Sequence, residues 1–177
     1  PLDKMNFSHV HDIFFVHENI NYILSLNMDE YIHLLKKEIP KWDDEFFNKM
    51  VKDRKINLKN NYQNFSRGQK MQIALMIGLA SNASILLLDE ITSVIDVYGR
   101  KYFLDLLGQY VKSGKTVVMT PNIINELEFY TDNLIVIKNS KIALDRPISE
   151  IPEQFVKIRR NDSNNHPIFD HKDCVWA

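Results

Sequence analysis

The stretch that decides the fold is FSRGQKMQIALMIGLASNASILLLDEITSVID, residues 65–96. Within it, a short aliphatic run at 85–88 is followed by two adjacent carboxylates, Asp89 and Glu90. A run this short and this apolar predicts a strand buried on both faces, as in a parallel sheet. Charge at the carboxyl end of such a strand is typical of ligand sites in open α/β sheets. We therefore expect an α/β protein with a site at these two carboxylates.

The beginning of the same stretch predicts an anion site. Ser66, Gly68 and Gln69 form a Ser-x-Gly-Gln turn, and the apolar pattern after it predicts a helix from about Gln69 to Ser81. Backbone N–H groups and the helix dipole favour anions at such a helix start. An anion site followed by two carboxylates suggests phosphoryl chemistry on a nucleotide.

Length and composition are those of an ordinary globular protein. The 177 residues are 45% hydrophobic and 25% charged, with a formal net charge of −1. This near-neutral balance gives no basic field for nucleic acid or for an anionic membrane. The single cysteine, Cys174, excludes an intrachain disulfide. Together with the lack of a membrane-length apolar run or a signal peptide, it predicts a cytosolic protein.

Strand and helix patterns alternate around this stretch. Apolar runs predict further strands at 13–16 and 116–120 and a hairpin of 134–137 with 141–144. Spacings of three and four predict helices within 20–60, a long helix at 97–112 capped by Asp96, and a short helix at 121–129. The segment 20–64 is thus predicted to be a helical insertion, and 146–177 a loosely ordered tail.

Three motifs in register resemble the nucleotide-binding subunit of ATP-binding-cassette (ABC) transporters. Residues 65–69, 85–90 and 92–96 look like its signature motif, its Walker B strand with the catalytic glutamate, and its D-loop. The resemblance covers about residues 12–145. Within the family, the chain resembles the bacterial exporter type. It implies part of a P-loop NTPase core (RecA-like, with a mostly parallel sheet) and an inserted helical subdomain. The implied divisions are 1–19 (the end of the first core part and the Q-loop), 20–64 (helical subdomain), 65–145 (second core part) and 146–177 (tail).

The resemblance also implies roles for the acidic residues. Asp89 would hold Mg²⁺ against the phosphates of ATP, and Glu90 would orient and polarise the attacking water. Glu18 would stand in the Q-loop, close to Mg²⁺ and the water. Asp96 would lie at the seam between two subunits.

The signature turn is implied to reach ATP held by the opposite subunit, so that two copies enclose two nucleotides. Its residues are Phe65, Ser66, Arg67, Gly68 and Gln69. Gly68 would let the backbone approach phosphate closely, and Arg67 replaces the family's more usual glycine. The implied partners are a second ABC ATPase subunit and a transmembrane permease, with no nucleic acid.

Two departures from the family pattern stand out. The phosphate-binding loop, G-x-x-x-x-G-K-[ST], does not occur in the sequence. Gly114-Lys115-Thr116 imitates its ending, but it follows a helix and enters a strand, so we interpret it as a helix stop. We expect the true loop to lie before Pro1, and the chain by itself not to bind ATP tightly.

The second departure is at the position of the family's switch histidine, where the alignment places Asn122. Asparagine donates a hydrogen bond but carries no charge. We therefore predict slow ATP hydrolysis by the intact protein, or a heterodimer whose partner supplies a complete site.

Two functions of different classes remain open on sequence. The first is the ATP-hydrolysing subunit of an ABC transporter, peripheral on the inner face of the cell membrane and bound to a separate permease. The second is a degenerate module that dimerises and docks without efficient turnover. A relative acting on ribosomes or DNA is disfavoured by the near-neutral charge.

Overall fold

A computed structural model of the chain describes residues 12–17, 26–90, 94–121 and 130–151. Glu18, Asn122, residues 122–129 of the helix predicted at 121–129, and residues 152–177 of the predicted tail lie outside these ranges. The chain divides into two compact units, residues 1–124 and 125–177. No helix in the described ranges is long and apolar enough to cross a membrane.

The first unit contains a three-stranded parallel sheet with β2 in the centre. Its strands are β1 (Ile13–Val16), β2 (Ile85–Asp89) and β3 (Thr116–Thr120), in the order β1-β2-β3. All strands point the same way, so their carboxyl ends meet at one edge, where Asp89 pairs with Thr120. The α/β prediction and the parallel sheet are confirmed.

The sheet is covered by helix α3 (Arg67–Ala80) on one face. Leu86 and Leu88 of β2 are buried on that face, while Phe15 and Val118 on the neighbouring strands are about half exposed. On the second face of β2 itself, Ile85 and Leu87 are only partly buried, so within the described residues the predicted full burial is found on one face. Burial depends on a covering layer as well as on apolar sequence, and within the described ranges that layer lies on one side.

Helix α3 is the centre of the core. Every residue from 71 to 80 is buried. The helix lies close to the sheet at Gly78, because a Cβ there would come within 2.7 Å of Val16 Cγ2. α2 and α4 pack against it as well, which explains burial around its whole circumference.

Helix α4 (Val97–Lys112) has the predicted limits, and Asp96 caps it as predicted. Phe103, Leu107 and Tyr110 are buried. The helix is followed by Gly114 at φ +86° and then by β3, so Gly114-Lys115-Thr116 is a helix stop, as expected.

Two helices occupy the described part of the 20–64 segment. They are α1 (Met28–Glu38) and α2 (Asp44–Asp53), and a 3₁₀ turn follows at Tyr62–Asn64. Asn27 and Glu30 form a reciprocal capping box at the start of α1, and Asp43 caps α2. Such side-chain acceptors satisfy backbone N–H groups that lack partners within the helix, which explains where both helices begin.

The second unit holds the predicted hairpin. Strands β4 (Asn133–Lys138) and β5 (Lys141–Pro147) are antiparallel, and both Asn139 and Ser140 have positive φ between them. β5 ends at Pro147, within the segment that the sequence assigns to the tail, and a 3₁₀ turn follows at Ile148–Glu150.

Candidate functional site

The predicted signature turn is the amino terminus of α3. Ser66 Oγ accepts a hydrogen bond from Gln69 N at 3.2 Å, and Gln69 Oε1 accepts one from Ser66 N at 3.0 Å. This capping box starts the helix at Arg67, two residues before the predicted start. Phe65 is buried and anchors the turn, whereas Ser66 and Arg67 are exposed. The turn is therefore held rigidly with its polar residues at the surface.

The signature turn touches the predicted D-loop directly. A Cβ placed on Gly68 would lie 2.8 Å from the carbonyl oxygen of Val94. Any side chain at position 68 would therefore require the backbone at Val94 to move. Close packing against Val94 therefore favours glycine at position 68, in addition to the predicted approach of the backbone to phosphate.

An open cleft of about 520 Å³ joins the turn to the D-loop. Two of its lining residues, Arg54 and Gln72, were not predicted as site residues. No spacing rule in the sequence would have found Arg54, which lies 42 residues from its acidic partner. The full lining is Arg54, Ile56, Ser66, Gly68, Gln69, Gln72, Val94 and Asp96.

Arg54 connects three helices at the side of this cleft. At the carboxyl end of α2, it donates from Nε to Gln72 Oε1 of α3 at 3.0 Å and from Nη2 to Asp96 Oδ2 at 3.3 Å. Its guanidinium lies 5.6 Å from the centre of the Tyr102 ring on α4. A Cβ on Gly99 would come within 2.8 Å of Nη2, so the glycine leaves room for the cation.

The carboxylate of Asp96 is engaged at both oxygens. Oδ1 accepts from Gly99 N at 2.8 Å and caps α4, while Oδ2 accepts from Arg54. Because the side chain is still 56% exposed, this edge of the cleft remains open to solvent.

Asp89 and Glu90 lie at the carboxyl end of β2, and both are exposed. Thr120, at the end of β3, donates its hydroxyl to Asp89 Oδ1 at 2.5 Å. Glu90 N donates to the carbonyl oxygen of Thr120 at 3.1 Å. The site contribution of Thr120 was missed on sequence, because it depends on the pairing of two strands some 30 residues apart.

The acidic pair does not line this cleft. Among the described residues, the lining of the cleft includes neither Asp89 nor Glu90. The expectation that the two motifs serve different nucleotides stays a prediction. Within the same ranges, no three His, Cys, Asp or Glu side chains gather as a metal-binding group.

Comparison with known proteins gives a family. The family model described as "ABC transporter" matches residues 6–93. The ABC transporter ATP-binding protein YtrB of Bacillus subtilis (strain 168) is 25% identical over 129 residues, covering 72% of this chain and 44% of the relative. The energy-coupling factor transporter ATP-binding protein EcfA2 of Mycoplasmopsis synoviae (strain 53) is 35% identical over 88 residues, covering 50% and 28%.

Solved structures agree on the fold. A structure described as an ATP-binding subunit of an ABC transporter superposes with a TM-score of 0.74 at 14% identity, covering 86% of this chain and 66% of that one. A dimeric ATP-binding cassette bound to ADP and Pi gives a TM-score of 0.64 at 24% identity, covering 77% and 63%. At these identities the likeness establishes the fold alone.

The parallel sheet and its covering helices form an α/β domain, and these neighbours share its fold. The family model shows that the chain belongs to the ABC transporter family, and the relatives that it resembles are ATP-binding proteins of such transporters. It spans less than half the length of the first relatives it matches, with 44%, 5% and 27% of their residues covered.

Proposed function

We propose that the chain provides the ATP-binding and ATP-hydrolysing subunit of an ABC transporter, which powers transport through a separate membrane permease. The observation that carries the proposal is the pair of exposed carboxylates, Asp89 and Glu90, at the carboxyl end of the central parallel strand. Open α/β sheets bind ligands at this edge.

The acidic pair suits the chemistry of ATP hydrolysis. Carboxylate oxygens are the ligands that Mg²⁺ prefers, and we assign Asp89, with Glu18, to hold it. Bound Mg²⁺ supplies neutralisation of the charge on the phosphates. Glu90 accepts a hydrogen bond from the attacking water and orients it, and Asn122 donates a hydrogen bond to the terminal phosphate.

A second ABC ATPase subunit completes the site in this proposal. The cleft beside the signature turn is not lined by the acidic pair, which supports the assignment of the two motifs to different nucleotides. Val97 and Tyr98, directly after Asp96, are 71% and 85% exposed. Large apolar side chains this exposed beside a functional loop favour coverage by a partner. The second subunit is either a copy of this chain or a different one.

The permease is the second proposed partner. The relatives are named as transporter ATP-binding proteins, which supports a role at the inner face of the cell membrane. The helical segment offers a groove of about 460 Å³, lined by residues of α1 and α2 that include Ile32, His33, Lys36 and Phe47. We assign the 20–64 segment to contact with the permease.

A module that dimerises without turnover is the alternative function. It is favoured by Asn122 at the expected histidine position. The retained pair Asp89 and Glu90 favours the enzyme, because a module that only binds does not need both carboxylates.

ATP hydrolysis by the protein as its gene encodes it tests the proposal. We expect Mg²⁺-dependent turnover in the wild type and a loss of roughly 100-fold or more in Glu90→Gln, because the variant keeps the shape but not the general base. ATP binding should persist. Glu45→Gln, an exposed glutamate in the first turn of α2, is the matched control and should stay at wild-type activity.

One result separates the two functions, and two others test single residues. ATP binding and dimerisation without hydrolysis would establish the module in place of the enzyme. Equal turnover in wild type and Glu90→Gln would refute the assigned role of Glu90. An Asn122→His variant should hydrolyse ATP faster than the wild type, and equal rates would remove the argument for a slow site.

A further inference from the structure

We propose that Thr120 is a positioning residue that holds Asp89 and Glu90 in their working geometry. This inference rests on the proposed function, because it gives Thr120 a role only if the two carboxylates act on ATP.

The hydroxyl of Thr120 contacts both acidic residues. It donates to Asp89 Oδ1 at 2.5 Å, and the same oxygen lies 3.3 Å from Glu90 N, from which it accepts. A hydroxyl has one donor and two acceptor lone pairs, so it can serve both neighbours at once. One side chain therefore links the proposed metal ligand to the proposed general base.

Strand pairing gives the contact its precision. Thr120 lies opposite Asp89 in the parallel register of β2 and β3. Its backbone position is thereby set by the ladder that runs the length of both strands. A β-branched side chain is also restricted at χ1, which keeps the hydroxyl pointing in a defined direction.

The backbone of Glu90 depends on the same residue. Glu90 has φ of +51°, in the left-handed region that residues other than glycine seldom adopt. Its N–H donates to the carbonyl oxygen of Thr120 at 3.1 Å. This bond holds the turn at which the chain leaves β2, and so it sets the direction in which Glu90 departs from the sheet.

The exposure of the cluster favours a role in chemistry over a role in folding. Asp89, Glu90 and Thr120 are all exposed, and hydrogen bonds between exposed groups compete with water and contribute only modestly to stability. Orientation of a catalytic carboxylate, by contrast, strongly affects rate, since a displacement of about 1 Å can cost about 100-fold.

Three variants test the inference in the protein as its gene encodes it. Thr120→Val keeps the shape and removes the hydroxyl, and we expect kcat for ATP hydrolysis to fall about 10-fold or more while KM changes less than about 2-fold. Thr120→Ser keeps the hydroxyl and should retain kcat within about 3-fold. Thr116→Val, at the other end of β3 and equally exposed, should match the wild type. If Thr120→Val does not fold, Thr120→Ala carries the same comparison.

A second readout needs no nucleotide. Thermal unfolding of Thr120→Val, Asp89→Ala and the double variant should show non-additive shifts, because either single change already removes the shared hydrogen bond. Additive shifts in melting temperature would show that the hydrogen bond between Thr120 and Asp89 is not made.

The outcomes separate this inference from the function on which it rests. A wild type that does not hydrolyse ATP refutes the proposed function, and the positioning role with it. A wild type that hydrolyses ATP, with Thr120→Val and Thr120→Ser equally active, refutes the positioning role alone. A lower melting temperature of Thr120→Val with unchanged kcat would show that Thr120 has a structural role only.

Discussion

Replacing Arg54 with methionine should lower the free energy of unfolding by about 2–3 kcal/mol. Methionine keeps an unbranched apolar chain out to the position of Nε, so the change removes mainly the guanidinium. Arg54 is 20% exposed in its side chain and bonds to residues of α3 and α4. Its loss therefore disconnects the end of α2 from both helices.

The magnitude follows from the separate contacts. The bond to Gln72 is part-buried and involves a charge, and it contributes about 1–2 kcal/mol after allowance for exposure. The pair with Asp96 adds about 0–1 kcal/mol, since the carboxylate is 56% exposed. Stacking on Tyr102 adds about 0.5–1 kcal/mol. Gln72 is buried, so its amide oxygen would lose a partner that water does not readily replace.

Urea unfolding, followed by circular dichroism, measures the effect. The matched control is Lys49→Met, which breaks the exposed pair between Lys49 and Asp53 in the same helix and should cost far less than Arg54→Met. Arg54→Met and Gln72→Met should also be non-additive when combined. An Arg54→Met variant as stable as Lys49→Met would refute the view that Arg54 joins the three helices.

Two further predictions concern the core and the signature turn. Gly68→Ala should destabilise the protein by about 1–3 kcal/mol in thermal unfolding, because the added Cβ would lie 2.8 Å from the Val94 carbonyl oxygen and force the backbone to shift. Arg67→Ala, exposed in the same turn, is its control, and equal melting temperatures for the two would contradict the contact. The free energy of unfolding should also fall as pH rises from 10 towards 12. Burial raises the pKa of Tyr110 to about 12 in the folded protein, whereas in the unfolded chain its pKa is about 10. The tyrosine therefore ionises first in the unfolded chain, and the stabilisation present below pH 10 is lost. Tyr110→Phe should make this alkaline decline shallower in pH-dependent unfolding, and an unchanged slope would exclude Tyr110 as its source.

Local sequence determined most of the elements. The limits of β1, β3 and α4 could be predicted to the residue, because apolar runs, helical spacing and capping side chains act within a few neighbouring positions. The motif at 65–96 likewise indicated the family, since its residue types and order are written directly in the chain. Helix α3 begins two residues before the start that the apolar spacing predicts, because the capping box of Ser66 and Gln69 extends the helix to Arg67.

Tertiary structure decided how those pieces meet. The contacts of Arg54 with Asp96, of Gly68 with Val94 and of Thr120 with Asp89 join residues far apart in sequence, and no local pattern encodes such pairs. The burial of α3 on every side is of the same kind, because it depends on which helices and strands pack around it. The sequence alone determined that residues 65–96 carry a turn and an acidic pair. The fold decided which residues contact each of them: Val94 contacts the turn at Gly68, and Thr120 contacts the acidic pair.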